Sequence, residues 1–224
     1  MTSEDNGPVP DFADLAADPA AQLDAIALAL AGEFRDVDNE AALARLDELA
    51  AEVAAAAGTI GELEALGVVL GTRHGFAGAT DEYDHPDNSM LDLVLERRSG
   101  LPISLSVVYA ETARRAGIAL DGVGLPGHYV VGQFPAGGGV PLLLDPFAGG
   151  VPLAVPEAAA ADVRPWGTHE TALRMLNNLV GSYTRRNDLG RAIRAAELRL
   201  ELPLESRLEK ALNAELMRLR ARLN

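Results

Sequence analysis

Apolar residues recur at helical spacing through the first third of the chain. Leu23, Ile26, Ala27, Leu30 and Phe34 mark a helix over residues 20–34. Leu43, Leu46, Leu49, Ala50 and Val53 mark a second, with Asp38 or Asn39 as its cap. Leu63, Leu66, Val69 and Leu70 mark a third, with Thr59 as the expected cap. Residues 71–88 are rich in Gly, Asp, His and Pro and read as a loop. Ser89 then opens a short helix, with Asp92 three positions on as a variant of the capping box. Its apolar face is Leu91, Val94 and Leu95, and Arg97 and Arg98 lie in its last turn, where cations suit the helix dipole. The helix expected over residues 102–116 is apolar around much of its circumference, which places it in the interior.

From residue 123 the period changes. Residues 123–125, 128–134, 140–145 and 151–153 read as strands, and 135–139 is a Pro-Ala-Gly-Gly-Gly turn between two of them. A buried helix followed by an antiparallel sheet is the α+β layout. Residues 154–165 read as a linker with a short helix. Thr168 is expected to cap a helix carrying Leu173, Leu176, Leu179, Val180 and Tyr183. Asp188 caps another, with Ile193, Ala196, Leu198 and Leu200, which Pro203 stops. The last helix carries Leu204, Leu208, Leu212, Leu216, Leu219 and Leu223. Two helices in about 34 residues fit the tetratricopeptide period, although one and a half units make no solenoid. The expected organisation is a disordered segment 1–10, a core domain 11–165 with an N-terminal helical cover, and C-terminal helices over 166–224.

Composition narrows the chemistry more than the fold. The 224 residues are 48% hydrophobic, enough for one large domain or a domain with a helical extension. The net charge is −14 and no basic cluster is present, which argues against nucleic acid and anionic lipid as partners. There is no cysteine, which removes disulfides, thiolate metal sites and cysteine catalysis. The N-terminus is acidic and polar rather than signal-like, and no apolar run is long enough to span a bilayer, so a cytoplasmic protein is expected. Lys210 is the sole lysine, a bias of GC-rich genomes. Residues 81–88 hold several potential ligands, but their spacing matches neither an EF-hand loop nor a His-Glu-x-x-His helix; no metal or cofactor is expected.

The candidate chemistry lies between residues 83 and 147. His128 opens one apolar run and Asp145 closes the next. A turn centred near Ala136–Gly137 sets them opposite each other, and cross-strand partners share a face. That geometry orients an imidazole for acid–base work. The alternatives are a histidine held in the sheet by one hydrogen bond and an Asp-Pro turn. Ser104 and Ser106 are the aliphatic hydroxyls of the interior helix before Thr112. Beside a His–Asp pair they suggest a hydrolase. Ser104, however, lies about 200° around the helix from Pro102, and Ser106 returns to that face about one turn deeper. A buried helical serine commonly bonds the carbonyl four residues back, and the chain has no Gly-x-Ser-x-Gly elbow. Asn88 is either a cap within its loop or a residue reaching His128. Arg97, Arg98, Arg114 and Arg115 either line a carboxylate pocket or sit on solvated helix ends. His74 and His169 have no partner that the sequence identifies.

This region resembles the transglutaminase-like superfamily, and within it the bacterial Sir-B-type branch with helical C-terminal repeats. The matching residues are Tyr83, Pro86, Asn88-Ser89, Val94-Leu95-Glu96-Arg97-Arg98, Gly100-Leu101-Pro102-Ile103-Ser104-Leu105, Pro126-Gly127-His128 and Asp145-Pro146-Phe147. Residues 43–53 and 174–201 resemble that branch's N-terminal helix and the start of its tetratricopeptide-like helices, so the likeness spans roughly 20–203. It implies a transglutaminase/cysteine-proteinase-like core, a buried helix on a small antiparallel sheet. In that superfamily a Gly-x-Cys turn supplies the nucleophile and opens a helix ending in an Arg-x-x-Gly-Ile type sequence. Aligned on Gly117-Ile118, the nucleophile position here falls on Pro102. Proline suits a first helical turn but carries no nucleophile. Gly-x-Pro is also the form that the Sir-B-type branch carries. The resemblance therefore implies the scaffold, His128 and Asp145 without thiol chemistry. The expected function is a non-catalytic binding, scaffolding or regulatory module. Its pocket centres on His128/Asp145 with Asn88 and Pro102 beside it, and a protein or peptide partner is expected on the C-terminal helices. The alternative is a hydrolase or transferase using Ser104, Ser106 or a water activated by His128.

Overall fold

The computed structural model describes residues 9–154 and 163–223. The disorder expected at the extreme N-terminus and the short helix expected in the linker fall largely or wholly outside the described residues.

Two short helices, α1 (Phe12–Ala17) and α2 (Leu23–Gly32), lead into the long α3 (Asn39–Ile60). Asp38 caps α3 by accepting from the Ala41 N–H at 3.0 Å. Thr59 lies inside α3 and caps nothing. The break comes at Gly61, whose φ of +93° suits glycine. Next come α4 (Glu62–Leu66) and, directly after it, a π-helical turn, Gly67–Arg73, so the expected loop starts later than residue 71. Glycine is required in that turn. A Cβ on Gly71 would stand 1.8 Å from the Gly149 carbonyl oxygen, and one on Gly67 2.7 Å from that of Gly150.

The strands β1 (Ala77–Gly78) and β2 (Ser99–Gly100) form a small parallel pair around a 3-10 turn, Pro86–Ser89, and α5 (Leu91–Arg97). Met90 is the N-cap of α5 and no side chain caps it. The expected capping box is absent because Ser89 is buried and Asp92 is ion-paired with Arg35 instead. The interior helix is α6 (Pro102–Arg115), and every residue from Pro102 to Ala113 in it is buried.

The main sheet is antiparallel in the order β3 (Asp121–Leu125), β4 (His128–Gln133), β5 (Leu142–Asp145), β6 (Val151–Leu153). Tyr129, Val131 and Leu144 join the main core with α6, while Val123, Val130 and Leu143 form a second cluster with Leu125, Phe134 and Val163. The architecture is α+β, as expected.

The C-terminal helices are α7 (Thr168–Arg185), α8 (Leu189–Leu198) and α9 (Ser206–Ala221). Gly167 is the N-cap of α7, so Thr168 is its first residue rather than its cap. Asp188 does cap α8, accepting from the Arg191 N–H at 3.1 Å. The main core runs from Phe12 to Leu219 without interruption, so these helices share it with the N-terminal cover. On α9, Leu212, Leu216 and Leu219 are buried, whereas Leu208 and Leu223 of the same sequence stripe are exposed. Among the described residues no helix is long and apolar enough to cross a membrane.

Candidate functional site

His128 is the first residue of β4 and Asp145 the last of β5. The register pairs Val131 with Leu144, Gly132 with Leu143 and Gln133 with Leu142. One rung further, Asp145 stands level with Val130. The hairpin is thus centred between Gly137 and Gly138, one position later than expected. Gly138 and Gly139 take φ of 78° and 131°, and the Gly138 N–H bonds the Pro135 carbonyl at 3.0 Å, so the glycines themselves form the bend. Moving a partner by two residues along a strand keeps its face. The two side chains therefore meet diagonally, with His128 Nε2 3.0 Å from Asp145 Oδ2.

Asp145 is also held from its other side. Its Oδ1 accepts from the N–H groups of Phe147 at 3.0 Å and Ala148 at 3.4 Å, opening a 3-10 turn, Pro146–Ala148. The two readings of this aspartate, turn starter and imidazole partner, are served by different oxygens. The His128 side chain is 30% exposed and that of Asp145 16%. A neutral imidazole donating from Nε2 to the carboxylate keeps the lone pair of Nδ1 for a base or ligand contact.

Phe147 anchors this corner. Its ring lies edge-on to His128, with centroids 6.3 Å apart, and 6.0 Å from the ring of Tyr83. It fills the space beside Gly78, where a Cβ would come within 2.4 Å of it. Asn88 works one step away. Its Nδ2 donates to the carbonyls of Glu82 at 3.1 Å and Tyr83 at 3.2 Å, and its own carbonyl accepts from the Leu101 N–H at 3.0 Å. Asn88 thus ties the Tyr83 loop to the start of α6. Its side-chain bonds go to that loop and none goes to His128.

Pro102 opens α6 and is buried. Ser104 and Ser106 are 0% and 1% exposed, and neither Oγ has a hydrogen-bond partner among the described residues. Neither serine is bonded to His128, and neither makes the expected bond to the carbonyl four residues back. Tyr109 lies seven residues after Pro102 and so returns to its face of the helix. Its hydroxyl is buried without a partner among the described residues, and a Cβ on Gly150 would be 2.7 Å from it. Burial first, and the Asp145 charge second, push the phenol well above its ordinary range. The Pro102–Ser106–Tyr109 face is therefore turned toward the loop that follows Asp145. Sequence reasoning missed Tyr109, whose only signal was that seven-residue spacing, and Phe147, which stood in the Asp-Pro-Phe motif.

The four arginines are engaged elsewhere. Arg97 pairs with Asp87 at 2.8 Å, and Arg98 donates to the His74 carbonyl at 3.3 Å. Arg114 binds Glu111 at 2.9 Å, while Arg115 joins Glu111, Asp47 and Asp24. His74 has partners after all, with Glu52 on Nε2 at 2.9 Å and Arg45 on Nδ1 at 3.1 Å. His169 Nε2 bonds the Leu15 carbonyl at 3.2 Å. Among the described residues no cluster of three or more His, Asp or Glu is placed to hold a metal. A large apolar concavity, about 760 Å³, lies between residues 63–72 and 140–154. The exposed Val140, Leu142, Val151 and Leu153 line it, away from the C-terminal helices.

The chain is similar to the UPF0162 protein of Xylella fastidiosa strain 9a5c, 42% identical over 145 residues that cover 57% of this chain and 51% of that protein. It is 36% identical to the UPF0162 protein of Pseudomonas aeruginosa over 121 residues, 52% of this chain and 44% of that protein. A shorter stretch of 69 residues, 31% of this chain, is 36% identical to 11% of mouse F-box only protein 21. The chain thus spans about half the length of these UPF0162 proteins. No solved structure matches it. The model of the transglutaminase-like superfamily matches residues 40–194, well over half of the chain and including α6, His128 and Asp145; the chain belongs to the transglutaminase-like superfamily.

Proposed function

We propose that this chain is a non-catalytic binding or scaffolding module of the Sir-B-type branch, with His128 and Asp145 as the polar centre of its pocket. One observation carries the reading. The His128–Asp145 contact is intact at 3.0 Å, yet among the described residues no nucleophile is hydrogen-bonded to it. The chain has no cysteine, and the hydroxyls of Ser104 and Ser106 are buried and unbonded. An oriented imidazole without a nucleophile is a hydrogen-bonding element, and such an element recognises a ligand. The bacterial relatives support a bacterial setting. The antiparallel helices α7 and α8, followed by α9, support a tetratricopeptide-like reading of the C-terminus and a protein or peptide partner there. The competing reading is a hydrolase or transferase. The half-buried His128, with Nδ1 outside the Asp145 contact, favours water activation over a serine nucleophile.

A serine-directed fluorophosphonate probe, read by intact mass, tests the choice between binding module and serine enzyme. The expected result is an unmodified protein. Stoichiometric labelling of Ser104 or Ser106 that disappears in folded His128→Ala would overturn the non-catalytic reading. Ester hydrolysis lost in His128→Ala without any labelling would establish the activated-water mechanism instead.

A further inference from the structure

A smaller concavity, about 370 Å³, lies where α7 and α8 meet the end of α2 and the turn before α5. Neither His128 nor Asp145 lines it. Its volume falls in the range of small-ligand sites, and junctions between packed units are where such sites concentrate. Phe34, Pro86, Met90 and Tyr183 supply apolar wall. The Phe34 and Tyr183 rings are 5.4 Å apart and tilted by 35°. The polar lining is Arg35, Arg186, Arg191 and His85, with Asp87 and Asp188.

The carboxylates of this pocket are already committed. Asp188 Oδ1 accepts from the Arg191 N–H at 3.1 Å, and its Oδ2 from Arg191 Nη1 at 3.0 Å. Asp87 Oδ2 accepts from Arg97 at 2.8 Å. Arg35 is paired with Asp92, and the Arg191 guanidinium lies 6.0 Å over the Tyr183 ring. Arg186 is left over: its side chain has no carboxylate partner among the described residues. Two further donors stand with it. His85 Nδ1 accepts from the Asp87 N–H at 3.3 Å, so the neutral ring carries its proton on Nε2. Burial raises the Tyr183 phenol to about 12, which keeps it protonated at neutral pH.

The concavity thus sets a guanidinium that no carboxylate among the described residues compensates beside two donor groups and two aromatic walls. We propose that this concavity binds a small organic anion, a carboxylate or phosphate monoester on an aromatic or apolar body, with Arg186 contacting the anion and Phe34 and Tyr183 flanking the body. Guanidinium recognises both oxyanions through paired N–H donors. The rings supply the apolar contact that distinguishes an organic anion from a free ion.

Calorimetric titration of the full chain tests this with phenyl phosphate, benzoate, inorganic phosphate and neutral benzyl alcohol. The expected result is saturable one-to-one binding of phenyl phosphate or benzoate, at least about tenfold tighter than benzyl alcohol or inorganic phosphate. The tighter of the two identifies the oxyanion, and either ranking supports the site. Arg186→Ala should weaken that binding about tenfold or more while leaving the thermal unfolding midpoint unchanged. Phe34→Leu should narrow the preference for phenyl phosphate over inorganic phosphate. The proposal fails if neither aryl anion saturates, if inorganic phosphate binds as tightly, or if Arg186→Ala binds like the wild type.

Discussion

Asp145 divides its work between two oxygens, one on His128 and one on the turn at residues 146–148. Removal of the carboxylate costs both contacts, whereas removal of the imidazole costs one. We expect Asp145→Ala to lower stability by about 1–2 kcal/mol, as lost side-chain caps do. His128→Ala, at a partly exposed position, should cost less. Urea unfolding of both variants reads the difference, and equal losses would contradict the division of roles. Asn88→Ala removes a donor from two loop carbonyls, leaving that of Glu82 with the His85 N–H and that of Tyr83 without its donor, and should cost about 1–3 kcal/mol by the same measurement. His128 and Asp145 were legible in the sequence because they flank a glycine-rich turn and lie in fairly specific motifs. Tyr109 was not, because a buried tyrosine on an apolar helix reads as core until its hydroxyl is seen to lack a partner. The serines invited a nucleophilic role that their full burial does not support.

The element on which the others converge is α6. Arg115, near its end, binds Glu111 on the same helix, Asp24 on α2 and Asp47 on α3. Asp24 and Glu111 are each only 3% exposed, and Arg115→Ala leaves Glu111 with Arg114 alone and Asp24 with the longer Arg114 contact at 3.9 Å. A loss of about 3 kcal/mol, the low end for a broken buried pair, is expected. Arg185→Ala breaks only an exposed pair with Asp84 and should cost no more than about 1 kcal/mol. The cluster also sets a pH dependence. Burial first, and Asp24 next, push the Glu111 carboxyl above its ordinary value of 4.5, against the pull of Arg114 and Arg115. Between the unfolded and the raised folded value, the native state binds the extra proton, so this group's contribution falls as pH rises through that window. The stability of wild type relative to Glu111→Gln should therefore be greatest at or below pH 4.5 and decline above it. A difference that grows with pH would contradict this. Most helices were legible from their periodicity. The π-helical turn was not, since its glycines answer to Gly149 and Gly150, which are distant in sequence. The α5 capping box was misread because Asp92 is claimed by Arg35 from the bend after α2.

At the scale of the whole molecule, one core links α1 to α9. Helix periodicity and the change to strand period made the α+β layout legible. The sharing of that core was not, because a sequence shows that a stripe is apolar but not which surface covers it. We expect a single unfolding transition, with the fluorescence of Trp166 and the far-ultraviolet signal coinciding. A chain ending at residue 165 should lose that cooperativity, because α2 and α6 would then be stripped of α7. The same packing fixes the start of α6 through the Asn88–Leu101 bond, and on it rests the proposal, drawn from the family resemblance, that Pro102 occupies the position of a nucleophile served by His128. The most direct test is the alkylation rate by iodoacetamide, as a function of pH, of the thiol introduced by Pro102→Cys. If the claim holds, alkylation persists well below the ordinary thiol pKa of about 8.5, and His128→Ala in the same background restores the ordinary profile. A thiol that titrates identically with and without His128, or that iodoacetamide never reaches, would contradict the account.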